Sequence, residues 1–183
     1  MKQISFLFIL SLLMFGCNSN QKQENTILEI KVDYEKQPGH ASNQYAAWIE
    51  NEEGTLVKTL FVTSYTAEGG YKPRPACVPL WVKKANPENL TIEEVDAFSG
   101  ATPQSGLQTY IWDLTDNNGA PVSKGAYTII VEGTLYGDSE VIFKTPVTIG
   151  GKENSFNTEM SFTSEDEKNK GMIKSVTVEY IVK

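Results

Sequence analysis

Apolar and polar residues alternate along much of this chain. In Thr26 to Tyr34, Leu28, Ile30 and Val32 share one face and charged residues share the other, which is the period of a half-buried strand. A similar strand-like pattern recurs in residues 44–50, 55–66, 107–112, 127–132, 139–149, 157–164 and 173–182. In the last of these segments the apolar face is predicted to carry Val176, Val178, Tyr180 and Val182. The pattern predicts about seven or eight strands.

Short polar turns separate the predicted strands. Residues 51–54 suit a four-residue hairpin, so segments 44–50 and 55–66 are expected to pair antiparallel, and residues 166–171 form a polar loop before the last strand. With no long amphipathic helix, the pattern predicts an all-β fold, an immunoglobulin-like antiparallel β-sandwich. Residues 26–183 are predicted to form one domain, without an internal repeat.

One segment between the predicted strands lacks the strand-like pattern. Residues 67–85 contain a Gly-Gly pair and several prolines, and a helical turn is predicted over residues 79–85. A second short helix is predicted between Asn86 and Val95, because acidic residues favour its first turn. This helical excursion comes directly before residues 96–102, which read DAFSGAT and are expected to form a loop.

The N-terminus reads as an export signal. Residues 1–16 have a basic start at Lys2 and an apolar run too short to span a bilayer, which is typical of a signal peptide. Residues 14–17 resemble a bacterial lipobox, which implies that Cys17 carries lipid; the alternative is a plain secretory signal with an incidental cysteine. Residues 18–25 are polar and predict a flexible tether. We therefore expect a lipid-anchored protein of the cell envelope, in the periplasm or on the outer membrane.

Charge and cysteine content narrow the function. The 16 basic and 23 acidic residues give a net charge of −7, and no basic, aromatic-interleaved stretch predicts nucleic-acid binding. With Cys17 acylated, Cys77 has no partner for a disulfide, and we expect it to be buried as a small apolar residue rather than to act as a reactive thiol.

The sequence does not predict an enzyme. There is no serine elbow, the single histidine, His40, lies in a turn-like segment expected to face water, and no two carboxylates mark a cleft. The carboxylates are expected mostly on exposed strand faces or in turns.

The segment DAFSGAT offers a hydroxyl to an outside partner. Gly100 frees the backbone, Ala101 adds little bulk, and Pro103 favours an extended Thr102, so the Thr102 hydroxyl is predicted to be accessible. A free threonine hydroxyl is a poor nucleophile, so a base and a metal would have to come from a modifying enzyme. The alternative is an ordinary turn built from Asp, Ser and Gly.

Every fixed position of this segment resembles the flavinylation motif Asp-x-x-Ser/Thr-Gly-Ala-Thr. FAD:protein FMN transferases recognise that motif and join FMN to its last threonine through a phosphoester. The resemblance implies that Thr102 is the acceptor and that Asp96, Ser99, Gly100 and Ala101 are the recognised positions. Asp96 either anchors the loop through backbone N–H groups or contacts the transferase.

A second motif runs from Trp112 to Tyr127. It reads W-D-x-T-D-x-x-G-x-P-V-x-x-G-x-Y and resembles the immunoglobulin-like module of flagellar hook-capping proteins. We expect Asp113 and Asp116 to hold a turn through backbone N–H groups, with calcium binding as the alternative, and Trp112 and Tyr127 to fill a sandwich core.

Taken together, residues 45–132 resemble a family of predicted periplasmic proteins catalogued as a domain of unknown function; the proline-flanked Cys77 departs from that pattern. Members are often encoded with flavin transferases or other extracytosolic redox proteins. The resemblance implies an electron carrier with covalent FMN, serving a membrane redox partner.

Arg74 would steady a phosphate or form an ion pair, and Tyr71 and Trp81 would flank the flavin or belong to the core. The alternative function is a non-redox immunoglobulin-like scaffold or a ligand-binding lipoprotein.

Overall fold

The structure is a computed structural model that describes residues 26–38, 43–135, 139–152, 155–163 and 171–182. Several sequence-based predictions lie outside the described residues: the signal peptide, Cys17, the tether, His40 and residues 166–170 of the polar loop. None of the helices within the described ranges is long and apolar enough to cross a bilayer.

Two β-sheets form the body of the described chain. The strands are β1 Thr26–Tyr34, β2 Gln44–Asn51, β3 Leu56–Thr63, β4 Ser99–Gly100, β5 Gly106–Trp112, β6 Gly125–Thr134, β7 Glu140–Ile149, β8 Glu159–Phe162 and β9 Ile173–Val182. One sheet has the order β5-β1-β9, and the other has the order β4-β3-β2-β6-β7-β8. Strand β4 pairs parallel with β3, whereas the other strand pairs are antiparallel, including the predicted hairpin of β2 and β3. The predicted all-β sandwich is confirmed.

The main core lies between the two sheets. Leu28, Ile30 and Val32 of β1 are fully buried, as their alternation predicts. Val176 and Val178 of β9 are also buried, because they lie on the predicted apolar face of that strand. Ile173, predicted on the polar face, is also buried, because a register shift after Asp33 brings it opposite Tyr34.

A second core covers the outer face of the larger sheet. Its buried members are apolar residues of β2, β3, β6 and the helical excursion: Ala46, Trp48, Val62, Ala67, Val78, Trp81 and Ile130. The helices α1 Pro79–Ala85 and α2 Ile92–Phe98 lie over this face. The excursion is therefore a third layer, and seven of the eight residues of β2 are buried because both faces of that strand are covered.

Two predicted boundaries in the helical excursion are wrong. The strand predicted to reach Thr66 ends at Thr63, and a wide helical turn follows at Thr66–Gly70. The change of direction is held by the Gln44 side-chain oxygen, which accepts hydrogen bonds from the hydroxyls of Thr63 at 2.5 Å and Thr66 at 2.9 Å. The helix predicted between Asn86 and Val95 is instead a 3₁₀ turn at Pro87–Asn89 followed by α2.

A capping box explains where α2 begins. The Thr91 hydroxyl accepts the Glu94 backbone N–H at 3.2 Å, and the Glu94 carboxylate accepts the Thr91 backbone N–H at 2.8 Å. None of the seven residues of α2 is buried, so this cap is a main local support of the helix.

We expect Thr91→Ala to cost about 0.5–2 kcal/mol of stability, because the Glu94 N–H in the first turn of α2 loses its acceptor. Hydrogen exchange of the α2 amides should accelerate more than exchange in β2 or β6. Thr91→Ser keeps the hydroxyl and serves as the control. Equal acceleration in both variants would contradict the capping role.

Candidate functional site

The segment DAFSGAT does not form a loop over its first five residues. Asp96, Ala97 and Phe98 complete the last turn of α2, and Ser99 and Gly100 form β4. The Ser99 N–H still bonds to the Val95 carbonyl while the Ser99 backbone is already extended, so the helix passes directly into the strand. The prediction of a free loop is therefore wrong: the chain leading to Thr102 is held by a helix and by two residues of parallel pairing with β3.

Gly100 is required by a close contact. Its φ angle does not lie in the left-handed region, so the predicted backbone freedom is not used. A Cβ atom at this position would lie 2.8 Å from Cε2 of Phe61 on β3. Glycine thus lets β4 approach the Phe61 ring.

Trp81 supports the motif from inside the protein. It is fully buried, its indole N–H donates to the Thr59 hydroxyl at 3.1 Å, and its ring meets the Phe98 ring edge to face at a centroid distance of 5.9 Å. The prediction that Trp81 flanks a flavin is therefore wrong, and its alternative as a core residue is confirmed. Trp81 is buried because α1, the helix that contains it, packs on this face of the sheet.

Asp96 and Tyr71 border the same cleft. Asp96 is exposed, Tyr71 is half-buried, and both line a space of about 450 Å³ between α2 and the turn at Thr66–Gly70. Within the described ranges, no backbone N–H donates to the Asp96 carboxylate. The hypothesis that Asp96 anchors the segment thus has no contact among the described residues to support it.

Thr102 lies at the end of the larger sheet where β2 begins. It is half-buried, and its hydroxyl donates to the Asn43 carbonyl oxygen at 3.3 Å. A carbonyl oxygen orients a hydroxyl but does not remove its proton at neutral pH. Any activation of this oxygen as a nucleophile therefore needs a base from another molecule.

Further side chains at this end of the sheet come from the turn after β3. Gln44, the residue after Asn43, binds Thr63 and Thr66, so Tyr65 is enclosed between two residues of this hydrogen-bond network. The Tyr65 side chain is 43% exposed. Thr102 and Tyr65 thus belong to the same edge of the protein.

Arg74 contacts Tyr65. The guanidinium carbon of Arg74 lies 5.7 Å from the centroid of the Tyr65 ring, and one guanidinium nitrogen donates to the Leu135 carbonyl at 3.4 Å. No described carboxylate forms an ion pair with Arg74, so the ion-pair alternative is not supported among these residues. The guanidinium places a positive charge beside an exposed aromatic ring.

Two buried carboxylates were not predicted by the sequence analysis. Glu132 on β6 is fully buried and accepts the N–H groups of Leu80 at 2.9 Å and Trp81 at 2.8 Å, which fixes the start of α1. Glu50 on β2 is 7% exposed and accepts from the Trp48 indole and from Lys84 at the end of α1. The expectation that the carboxylates are mostly solvated is wrong for these two.

Glu132 replaces the missing cap of α1. Val78, at the cap position, has a left-handed backbone and no capping hydrogen bond from its side chain, while its N–H donates to the Thr134 hydroxyl of β6 at 3.2 Å. Burial raises the pKa of Glu132, a hydrogen bond with Glu140 raises it further, and the two backbone N–H groups oppose the shift. An unbroken run of three apolar residues, Ile129 to Val131, directly before Glu132 was the available signal for a strand covered on both faces.

Cys77 lies next to this junction. It is 1% exposed and free, and burial raises the pKa of its thiol while the nearby Arg74 opposes the shift. The prediction that it is buried as a small apolar residue is confirmed.

The second sequence motif forms the expected turn. The Asp116 carboxylate accepts the N–H groups of Asn118 at 2.8 Å and Ala120 at 2.9 Å, and the Asp113 carboxylate accepts that of Thr115 at 3.2 Å. The rings of Trp112 and Tyr127 meet at a centroid distance of 5.3 Å within the main core. Both structural predictions for this motif are confirmed.

Comparison with known proteins gives one match. Residues 26–167 match the family model described as "Predicted periplasmic protein (DUF2271)". No curated protein and no solved structure matches the chain. The family description supports an extracytosolic location. Because the match spans more than half of the chain, this protein belongs to the DUF2271 family of predicted periplasmic proteins.

Proposed function

We propose that this protein is a covalent flavin carrier. An FAD:protein FMN transferase attaches FMN to the Thr102 hydroxyl, and the loaded protein moves electrons between a membrane redox partner and an extracytosolic acceptor. The observation that carries the proposal is the complete DAFSGAT motif ending on a hydroxyl at the sheet edge, where its partner is a backbone carbonyl. Extracytosolic location, supported by the family, agrees with this role.

The attachment step exchanges one phosphoryl bond for another. The Thr102 hydroxyl oxygen bonds to the phosphorus of the FMN half of FAD, the diphosphate bond breaks, and AMP leaves. The hydroxyl proton passes to a base of the transferase, whose metal neutralises charge on the diphosphate. Thr102 contributes only the oxygen, and Asn43 holds that oxygen until the transferase binds.

The residues before Thr102 fit this reaction. Gly100 has no side chain and Ala101 is exposed with only a methyl group, so neither residue obstructs the hydroxyl. Asp96 is exposed on the last turn of α2, where a transferase can reach it. The Phe98 ring packs on Trp81, and Gly100 lies close to Phe61. These contacts hold the motif segment against the two cores.

In this proposal the protein is a carrier and not an enzyme. Bound flavin supplies the capacity to accept and release one or two electrons. Covalent attachment keeps the cofactor outside the cytoplasm, where a free flavin would diffuse away. Acylation of Cys17, followed by the polar tether 18–25, would hold the sandwich near a membrane redox partner.

The test is co-expression of the exported protein with an FAD:protein FMN transferase. We expect an intact mass larger by one FMN group and a fluorescent band on a denaturing gel. Thr102→Ala should lose both signals completely, because it removes the hydroxyl at the acceptor position of the motif. Thr109→Ala, at an exposed threonine of β5, is the matched control and should keep both.

Two results would contradict the proposal. One is an unmodified wild-type chain beside a transferase that labels a known substrate in the same cells. The other is full labelling of Thr102→Ala. Either result would favour the alternative of a non-redox immunoglobulin-like scaffold or a ligand-binding lipoprotein.

A further inference from the structure

We propose that the exposed ring of Tyr65 is the surface on which the isoalloxazine ring stacks once FMN is attached to Thr102. This inference rests on the proposed function and names the residues that hold the cofactor. It assigns the aromatic contact to the turn after β3 instead of to Trp81 or Tyr71.

The first support is position. Thr102 bonds to Asn43, and the next residue, Gln44, bonds to Thr63 and Thr66, which bracket Tyr65 in the chain. In addition, the parallel strands β3 and β4 pair Thr63 with Gly100. Tyr65 follows Thr63 by two residues, and Thr102 follows Gly100 by two residues. Two independent sets of contacts thus place residue 65 and Thr102 at the same end of the larger sheet.

The second support is that the Tyr65 ring is held in place although it is exposed. A Cβ atom on Gly70 would lie 2.4 Å from Cε1 of Tyr65 and 2.3 Å from its carbonyl oxygen, so the Gly70 backbone packs directly against the residue. The Arg74 guanidinium lies over the ring. A ring fixed in this way loses little freedom when a second ring stacks on it.

The third support is chemical fit. An isoalloxazine is a large, flat, electron-poor ring, and a phenol is electron-rich, so the two favour stacking. Arg74 adds positive charge beside the site, which suits an anionic phosphoester and the reduced flavin. A covalent link to Thr102 gives the ring a high effective concentration at Tyr65.

The other aromatic residues fit less well. Trp81 points from α1 onto the larger sheet, is fully buried, and donates its indole N–H to the Thr59 hydroxyl. Tyr71 is half-buried and lines the cleft beside α2 with Asp96. Tyr65 is the most exposed of the three, and its neighbours Thr63 and Thr66 bond to Gln44, the residue next to the one that accepts from Thr102.

The experiment compares flavinylated wild type, Tyr65→Leu and Tyr71→Leu after intact mass has confirmed one FMN per chain. Stacking on a phenol quenches flavin emission, so native wild type should fluoresce weakly and brighten on unfolding. Because an aromatic pair favours the stacked state by roughly two- to tenfold, Tyr65→Leu should be at least about twofold brighter when native. Tyr71→Leu should match wild type, and Tyr65→Phe should keep the visible circular dichroism of the bound flavin.

The outcomes separate the two proposals. A wild type without FMN overturns the proposed function and this inference together. A loaded Tyr65→Leu that is as dim as wild type, or a loaded Tyr71→Leu that brightens in its place, overturns this inference alone. Far-ultraviolet circular dichroism of each variant verifies that the sandwich is folded, and Tyr65→Phe tests the ring without shortening the side chain.

Discussion

Replacing Glu132 with alanine is expected to lower the free energy of unfolding by about 2–5 kcal/mol, because two N–H groups at the start of α1 lose their acceptor in a buried site. The carboxylate receives both bonds at 2.8–2.9 Å and is fully buried. Removing the carboxyl also removes the cost of burying it, which keeps the loss within this range. Urea unfolding followed by tryptophan fluorescence measures the effect, since Trp48, Trp81 and Trp112 are all fully buried.

Glu132→Gln is the control, because it keeps an acceptor oxygen and removes the ionisation. Burial, followed by the hydrogen bond with Glu140, raises the folded pKa of Glu132 above its ordinary value of 4.5. The folded protein therefore binds this proton more tightly than the unfolded chain does. The resulting stabilisation is fully present below pH 4.5 and is lost as the pH rises through the folded pKa.

Wild type should consequently lose stability relative to Glu132→Gln as the pH is raised from 4.5, while Glu140 is present in both proteins. A difference between the two that is independent of pH would show that Glu132 is ionised in the folded protein over the whole range. An alanine variant as stable as wild type would show that α1 does not depend on Glu132.

Gly100→Ala is expected to cost about 1–3 kcal/mol, because an added methyl group in a closely packed contact forces the backbone or its neighbour to move. The new Cβ would lie 2.8 Å from Phe61 Cε2. Phe61 is itself packed between Tyr45 at 4.9 Å and Tyr110 at 5.4 Å between ring centroids, so it cannot move freely. Urea unfolding measures the loss, and hydrogen exchange at Ser99 and Gly100 reports opening of β4.

Phe61→Leu provides the matched partner for a double-mutant cycle. Leucine lacks the ring edge that faces Gly100, so the two substitutions together should cost less than the sum of their separate losses. Additive losses would contradict the close-contact explanation. Flavinylation of Gly100→Ala alone would not distinguish a displaced Thr102 from a lost recognition residue, whereas the stability cycle isolates the contact.

The site was only partly predictable from its own residues. Thr102, Asp96 and Gly100 were selected by the order of residues in DAFSGAT, which is a local property of the chain. The secondary structure of residues 96–100 was mispredicted because Ser and Gly favour turns locally, whereas pairing with Val62 and Thr63 makes Ser99 and Gly100 a strand. Thr102 itself lies outside the helices and strands, as predicted. The reason for glycine at position 100 depends on Phe61, which lies in a different strand.

The sequence by itself determined the strands of the sandwich other than β4, the hairpin of β2 and β3, the turn after Trp112 and the position of α1. Each of these follows from periodicity or turn chemistry within about a dozen neighbouring residues. Tertiary structure alone decided that α1 and α2 cover the outer face, that Trp81 is core, and that Tyr65 lies on the edge that carries Thr102. These outcomes depend on contacts such as that between Leu80 and Glu132, which are 52 positions apart. A local pattern shows that a face must be covered, but the residue that covers it is fixed only when distant segments pack together.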